Sequence, residues 1–214
     1  MKLVIFDHDG LMVNSEEVVF TAIRDIFKEY NQNYTWEYFS QHIGMSVVES
    51  LQIFYKDFPI PITFEDFYAL RNERVTKYIE KHLQIMDGLI PLLNYIDKLR
   101  IPMAIATSGK KDYITKNLDK FGITKYFSTI VTIDEVKRGK PHPDLILKAL
   151  EKAKVKAEDA IMLEDAPHGI EASYNAKVFS IAIPTKGMDY NRFIKANIIV
   201  NDLYQVINLF KLFH

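Results

Sequence analysis

Short uninterrupted runs of apolar residues recur along the chain and alternate with stretches of helical periodicity. A run without polar interruptions is typical of a strand buried on both faces, and its alternation with helices is typical of a parallel sheet. The predicted strands, in chain order, are 3–6, 103–106, 129–131, 160–163, 178–183 and 197–200. The pattern therefore predicts an α/β protein with a doubly wound, Rossmann-like parallel sheet.

The segment between the first two predicted strands has a different pattern of apolar residues. Strand-like runs are absent from about residue 14 to residue 85, and the apolar positions there follow helical spacing. Asn14-x-x-Glu17 resembles a capping box, Thr63-x-x-Asp66 opens another helix, and the Pro-containing stretch 58–61 reads as a connector. We therefore predict a core domain formed by residues 1–13 and 86–214, with an all-helical domain, residues 14–85, inserted after the first strand.

The composition limits the functional class. The chain has 214 residues, of which 48% are hydrophobic and 26% charged, as in ordinary globular proteins. A formal charge of -1 gives no electrostatic reason to expect nucleic acid or a membrane as partner. The absence of cysteine excludes disulfides and thiolate catalysis. The first apolar run is too short for a signal peptide, and no apolar stretch approaches the roughly 18 residues of a membrane span, so we expect a cytoplasmic location.

Polar residues follow the predicted strands where each one ends. These residues are Asp7 and Asp9, Thr107-Ser108-Gly109, Lys140, and Glu164-Asp165. Ligands of doubly wound sheets bind outside the carboxyl ends of the strands. Two carboxylates that point the same way, as residues two apart in a strand do, need a cation or a shared proton, and Gly10 allows the backbone to turn beside them.

Each of these residues taken singly has a simpler interpretation. Thr107 is compatible with a helix cap, Lys140 with a solvated lysine, and Glu164-Asp165 with negative charge near a helix N-terminus. Their joint occurrence at successive strand ends favours a site for phosphate and a metal ion.

The same residues carry a resemblance to a known family. The segments are 7–10 (Asp-His-Asp-Gly), 106–109 (Ala-Thr-Ser-Gly), 139–144 (Gly-Lys-Pro-His-Pro-Asp), 163–165 (Leu-Glu-Asp) and 169–172 (Gly-Ile-Glu-Ala). Their order and spacing resemble the haloacid dehalogenase-like hydrolases, and the insert resembles the helical cap of the phosphoglucomutase-like branch. The resemblance covers nearly the whole chain.

The resemblance implies a role for each motif residue. Asp7 would be the nucleophile that forms an aspartyl-phosphate, and Asp9 the general acid-base. Mg²⁺ would be held by Asp7, by the main-chain carbonyl of Asp9, by Asp165, and by Glu164 directly or through water. The residues that would contact the phosphate are Gly10, Thr107, Ser108, Gly109, Lys110 and Lys140.

The resemblance also indicates which class of reaction to expect. Branches of the family that cleave carbon–halogen or carbon–phosphorus bonds lack the second aspartate, so Asp9 favours phosphate-ester chemistry. We expect a Mg²⁺-dependent phosphatase of a small phosphorylated metabolite, such as a sugar phosphate, that acts as a monomer. His42 and Arg71 of the insert are candidate substrate contacts.

Two alternatives stay open. One is a beta-phosphoglucomutase-like mutase, which the chain disfavours because Ile43 and Val47 stand where the mutase pattern has basic residues. The other is a non-catalytic phosphate-binding module, which the presence of Asp9 argues against.

Overall fold

The computed structural model describes residues 1–212 of the chain. The strands in that range are β1 (Leu3–Phe6), β2 (Met103–Ala106), β3 (Phe127–Val131), β4 (Ala160–Glu164), β5 (Phe179–Ala182) and β6 (Ile198–Ile199). The α-helices are α1 (Ser15–Glu29), α2 (Trp36–Ser40), α3 (Val47–Asp57), α4 (Phe64–His82), α5 (Leu89–Lys98), α6 (Lys111–Lys120), α7 (Asp144–Ala153), α8 (Pro167–Asn175) and α9 (Leu203–Leu212). Short 3-10 turns occupy 124–126, 133–135, 157–159 and 190–193.

The chain forms two compact units. The sheet unit comprises Met1–Val13, Ile85–Thr185 and the residues from Tyr190 onward. The helical unit comprises Asn14–Gln84 together with Lys186–Asp189. The sheet unit contains every strand of the described chain and α5 to α9, and the helical unit contains α1 to α4.

The sheet unit is built on a parallel sheet. Over residues 1–212 its strand order is β3-β2-β1-β4-β5-β6, and every neighbouring pair is parallel. β1 lies in the interior of the sheet and leaves for the helical unit at its carboxyl end, while β2 and β4 flank it. The order reverses direction at β1, which in open α/β sheets is where ligands bind.

Both faces of the sheet are buried, which explains why the strands are apolar without interruption. Val4 and Phe6 of β1 belong to one core cluster, which α5, α6 and α9 cover. Leu3 and Ile5 of the same strand belong to a second cluster, which α7 and α8 cover. All four residues are inaccessible to solvent. Because alternate side chains point to opposite faces, helices on both sides remove every position of β1 from water. The predicted doubly wound α/β fold is confirmed.

The helical unit has an aromatic core. Phe27, Tyr34, Phe39, Phe54 and Phe67 are each at most 5% exposed, and their rings pack at centroid distances from 5.1 to 6.4 Å. The main contact between helices joins α1 to α4. Aromatic side chains bury large apolar areas, so a unit of this size obtains its core from few residues.

The loop after β5 contributes a short piece to the helical unit. The indole N–H of Trp36 donates to the carbonyl of Lys186 over 2.7 Å, and the Ser40 hydroxyl donates to the carbonyl of Gly187 over 3.4 Å. Residues 186–189 therefore group with the helices in space although they follow β5 in sequence.

Helix starts in the helical unit follow the sequence signals in part. The Thr63 hydroxyl accepts the N–H of Asp66 over 3.1 Å, as predicted, and the predicted connector 58–61 lies between α3 and α4. The capping box predicted at Asn14 is wrong, because the Asn14 side chain makes no cap bond to α1. Its Oδ1 accepts the N–H of Gln84 over 2.8 Å and so ties the two ends of the helical segment together.

None of the helices within residues 1–212 combines the length and the hydrophobicity that a bilayer crossing requires. The cytoplasmic location stays a prediction.

Candidate active site at the carboxyl ends of the strands

Two acidic segments follow neighbouring strands of the sheet. β1 pairs with β4 in a register that sets Phe6 opposite Leu163. The main-chain N–H of Asp7 donates to the carbonyl of Leu163 over 3.0 Å, which continues the pairing one residue beyond β1. This register places Asp7 beside Glu164, although the two are far apart in sequence.

Asp7, Glu164 and Asp165 form a compact acidic group. Carboxylate oxygens of the three residues lie within 4.8 Å of one another, and all three residues are at most 7% exposed. Carboxylates so close together and so far from water repel one another unless positive charge compensates them. Oxygen donors alone are the ligands that a hard cation such as Mg²⁺ prefers, so this donor set could hold a divalent metal ion.

Lys140 supplies one positive charge to the acidic group. Its Nζ donates to Asp7 Oδ1 over 2.6 Å and to Glu164 Oε2 over 2.7 Å, and its side chain is only 1% exposed. Burial by itself lowers the pKa of the Lys140 ammonium, but the charges of Asp7 and Glu164 raise this pKa above its usual range. Lys140 is therefore charged at neutral pH.

The Glu164 carboxyl is in a less favourable environment. Burial, together with the charge of Asp7, raises its pKa to about 7, against the opposing effects of Lys140 and of the Ala166 N–H. One ammonium therefore does not offset three buried carboxylates, and a bound cation would reduce the remaining excess of negative charge.

Two glycines make room for the carboxylates. Gly10 has a φ of +78°, and a Cβ at this position would lie 2.0 Å from Asp165 Oδ2. A Cβ at Gly169, in the first turn of α8, would lie 1.9 Å from Glu164 Oε2. Any side chain at either position would displace a carboxylate of the acidic group. The turn that the sequence predicts at Gly10 is present, and its backbone conformation is one that glycine adopts without strain.

The Asp9 side chain lies apart from this group. It is 31% exposed, and its Oδ1 accepts the hydroxyl proton of Tyr113 over 2.8 Å. The carboxylates of the acidic group are Asp7, Glu164 and Asp165. The Asp9 side chain is therefore not one of the clustered carboxylates. This placement is compatible with the predicted metal contact of Asp9, because that contact involves its main-chain carbonyl and not its side chain.

The segment after β2 approaches Asp9 and the Lys140 loop. A Cβ at Gly109 would lie 3.4 Å from Asp9 Oδ2, and one at Gly139 would lie 3.5 Å from Ser108 Oγ. Thr107 is buried, and its Oγ1 accepts the N–H of Gly109 over 3.0 Å. The structure therefore brings this motif to the same end of the sheet as the acidic residues.

Thr107 is not the N-cap of the following helix. The N-cap position of α6 is Lys110, whose exposed side chain makes no cap bond. Asp134 takes the capping role instead, because its Oδ2 accepts the N–H of Lys111 over 2.7 Å. The simple interpretation of Thr107 as a helix cap is therefore wrong.

Sequence reasoning missed two residues that contact the predicted site. Tyr113 donates to Asp9, and the Thr185 hydroxyl donates to Asp165 Oδ2 over 3.1 Å. Thr185 follows β5, the strand next to β4, so the rule that ligands gather at strand ends could have found it. Tyr113 lies within a helix, where no strand-end signal exists.

His42 and Arg71 belong to the helical unit. His42 Nδ1 lies 2.8 Å from the carbonyl of Tyr38, and its ring packs against Tyr38 and Phe54. The Arg71 guanidinium donates to Asn72 Oδ1 over 3.0 Å, and burial lowers its pKa. Their contact with substrate stays a prediction.

The comparisons with known proteins agree with this geometry. The family model of the haloacid dehalogenase-like hydrolases matches residues 4–183. The chain is 30% identical over 178 residues to a phosphorylated carbohydrates phosphatase of Thermotoga maritima, a match that covers 83% of this chain and 82% of the relative. It is 27% identical over 205 residues to the validoxylamine A 7'-phosphate phosphatase of Streptomyces hygroscopicus subsp. limoneus, covering 96% and 95% of the two chains.

A solved structure shows the same likeness. The crystal structure of a candidate beta-phosphoglucomutase from Thermotoga maritima superimposes with a TM-score of 0.82 at 27% identity and covers 99% of both chains. On the family match and these relatives, the chain belongs to the haloacid dehalogenase-like hydrolases, in their phosphoglucomutase-like branch, and is a phosphohydrolase of small phosphoesters.

Proposed function

We propose that this protein is a Mg²⁺-dependent phosphatase that hydrolyses a small phosphomonoester, such as a sugar phosphate, through an aspartyl-phosphate on Asp7. The observation that carries the proposal is the contact of Asp7 Oδ1 with Lys140 Nζ, beside Glu164 and Asp165 at the carboxyl ends of β1 and β4. A phosphatase of phosphorylated carbohydrates among the relatives supports the substrate class.

Asp7 has the properties of a nucleophile. A carboxylate is ionised at neutral pH without a partner base, and the bond to Lys140 fixes the orientation of the Asp7 side chain. In the proposed first step, an Asp7 oxygen attacks the phosphorus and the ester bond to the leaving oxygen breaks. The Asp9 carboxyl gives its proton to that leaving oxygen.

The second step regenerates the enzyme. Water attacks the phosphorus of the aspartyl-phosphate, Asp9 takes the proton of this water, and inorganic phosphate leaves with the Asp7 carboxylate restored. Asp9 thus acts first as acid and then as base, which the partial exposure of its side chain to water allows.

Positive charge and hydrogen-bond donors would hold the phosphate. Lys140 is charged at neutral pH and lies within hydrogen-bond distance of Asp7, so it would contact the transferring group. Thr107, Ser108, Gly109 and Lys110 would contact the remaining oxygens. Asp7, Asp165, the Asp9 carbonyl and Glu164 would hold Mg²⁺, which supplies charge neutralisation for phosphoryl transfer when it is bound.

The helical unit is proposed as the cap that selects the substrate. His42 and Arg71 would contribute to that selection. The Arg71 guanidinium suits an anionic or polyhydroxylated ligand, since it carries several donors in a fixed plane.

A sugar phosphomutase is the second candidate, because the chain resembles a candidate beta-phosphoglucomutase along its full length. Ile43 and Val47 argue against it, since neither can hold the second phosphate of a bisphosphate intermediate. Incubation with beta-glucose 1-phosphate and a bisphosphate primer, followed by NMR, separates the two. Release of inorganic phosphate supports the phosphatase, and isomerisation without phosphate release supports the mutase.

The test of the proposed function compares Asp7→Asn with the wild type in a phosphomonoester panel containing Mg²⁺. We expect turnover to fall by about a thousandfold or more, because the amide is a poor nucleophile, while the circular dichroism spectrum is unchanged. Asp159→Asn is the matched control, since Asp159 pairs with Lys2 on the surface, and it should keep full activity. Turnover by Asp7→Asn within tenfold of the wild type would contradict the role of Asp7.

A further inference from the structure

Tyr113 makes a direct contact with the proposed acid-base residue. Its hydroxyl donates to Asp9 Oδ1 over 2.8 Å. Tyr113 is the third residue of α6, so it lies in the first turn of the helix that follows the phosphate-binding segment after β2. Tyr113 is not one of the motif residues that follow the strand ends.

The Tyr113 ring is itself held in place. It packs edge-on against the ring of His8, with the centroids 5.6 Å apart and the ring planes at 78°. His8 is fully buried, and its Nδ1 lies 3.5 Å from Asp9 Oδ1. Since the ring of His8 is fixed by burial, the phenol of Tyr113 has a defined position from which to donate its proton.

The Asp9 side chain is more exposed than those of the other acidic residues near the strand ends. The side chains of Asp7 and Glu164 are buried and bonded to Lys140, whereas the Asp9 side chain is 31% exposed. A partly exposed aspartate has two rotatable side-chain bonds, and packing alone does not select one orientation. A proton transfer requires the donor oxygen to lie within hydrogen-bond reach of the reacting oxygen.

We infer that Tyr113 is a positioning residue: by donating to Oδ1 it holds the Asp9 carboxyl in the orientation in which Asp9 exchanges a proton with the reacting phosphate ester. This inference rests on the proposed function. A Cβ at Gly109 would lie 3.4 Å from Asp9 Oδ2, so the segment after β2 lies next to the carboxyl that Tyr113 holds.

Tyr113 neither gains nor loses a proton in either step of the reaction. In the first step the proton moves from the Asp9 carboxyl to the leaving oxygen, and in the second step a water proton moves to the Asp9 carboxylate. The Tyr113 hydroxyl donates to Oδ1 throughout and keeps its own proton. Its effect is therefore on the orientation of Asp9 and not on the number of protons transferred.

The dependence of the rate on the leaving group tests this role. A basic leaving group needs a proton as its bond breaks, and a weakly basic leaving group departs without one. The value of kcat/KM reports the steps up to release of the leaving group, so it isolates the first half of the reaction. The probes are phenyl, 4-nitrophenyl and 2,4-dinitrophenyl phosphate, which have similar shape and progressively less basic leaving groups.

Tyr113→Phe keeps the ring against His8 and removes only the hydroxyl. We expect its kcat/KM to fall by about tenfold for phenyl phosphate and by less than about threefold for 2,4-dinitrophenyl phosphate. Asp9→Asn should show the same dependence with a larger loss. Tyr126→Phe is the matched control, because the Tyr126 hydroxyl donates to Asn94 instead, and it should match the wild type with all three esters.

The outcomes separate this inference from the proposed function. A loss that grows with leaving-group basicity supports the positioning role. An equal loss on all three esters would show a merely structural role and overturn the inference, as would activity equal to or above the wild type. A wild-type protein inactive on every ester would overturn the proposed function, and this inference with it.

Discussion

Replacing Gly169 with alanine tests the placement of Glu164 directly. A Cβ at Gly169 would lie 1.9 Å from Glu164 Oε2, 2.0 Å from its Cδ and 2.6 Å from its Oε1. Ordinary contacts start near 3.4 Å, so the Glu164 carboxylate would have to leave its present position. Glu164 has no exposed surface, and its surroundings therefore offer little room for such a shift.

The cost follows from the bonds that Glu164 would lose. Its carboxylate accepts from Lys140 Nζ over 2.7 Å and from the Ala166 N–H over 3.1 Å. A hydrogen bond to a charged group contributes about 1.5–3 kcal/mol, while alanine in a helix is favoured over glycine by up to about 1 kcal/mol. We expect the displaced carboxylate to lose one of these two bonds and to keep the other, so Gly169→Ala should lower the free energy of unfolding by about 1–2 kcal/mol.

A double-mutant cycle provides the control. In a Glu164→Ala background the clashing atoms are gone, so Gly169→Ala should be neutral or stabilise the protein by up to about 1 kcal/mol. Urea denaturation followed by circular dichroism gives the four free energies, and the coupling energy should be about 2 kcal/mol. An equal cost of Gly169→Ala in both backgrounds would refute the placement of Glu164 against α8.

Two further predictions concern stability. Burial, with the charges of Lys140 and Arg192, lowers the pKa of His168 to about 4. His168 therefore binds a proton near pH 6.5 in the unfolded chain but only near pH 4 in the folded chain. The free energy of unfolding consequently decreases as the pH falls from 6.5 towards 4. Between pH 7.5 and 5.5 we expect the wild type to lose about 1 kcal/mol more than His168→Asn in urea denaturation, and equal losses would contradict the reasoning. In the helical unit, the buried Tyr34 hydroxyl has no hydrogen-bond partner among residues 1–212, so Tyr34→Phe should stabilise the protein by about 1 kcal/mol. A lower melting temperature for Tyr34→Phe would show that this hydroxyl has a partner.

The strands could be predicted from the sequence because helices cover both faces of the sheet. The predicted run 103–106 coincides with β2, and the run 160–163 lies within β4. The prediction was less accurate at the sheet edge, where β6 spans only Ile198–Ile199 instead of 197–200. β6 has one neighbouring strand and is partly exposed. The apolar run in the sequence therefore predicts the ends of β6 less accurately than those of a strand buried in the interior of the sheet.

The approach of the acidic segments also follows from the pattern, since the carboxyl ends of parallel neighbouring strands meet at one edge. The register of β1 and β4 brings Asp7 to Glu164. The contacts of Asn14 and Tyr113 could not be predicted in this way. Asn14 bonds to Gln84, and Tyr113 reaches Asp9 from 104 residues away. Local spacing carries no information about such partners, because they meet only when distant segments fold together.

In the proposed reaction, Asp7 carries the phosphoryl group during turnover. The most direct measurement is borohydride reduction of the protein during hydrolysis of 4-nitrophenyl phosphate, followed by peptide mass spectrometry, because an acyl phosphate is reduced to an alcohol whereas a free carboxylate is not. We expect residue 7 to be converted to homoserine only when substrate is present, and Asp159 to remain unmodified. Continued turnover with reduction at another carboxylate, or at none, would contradict this expectation.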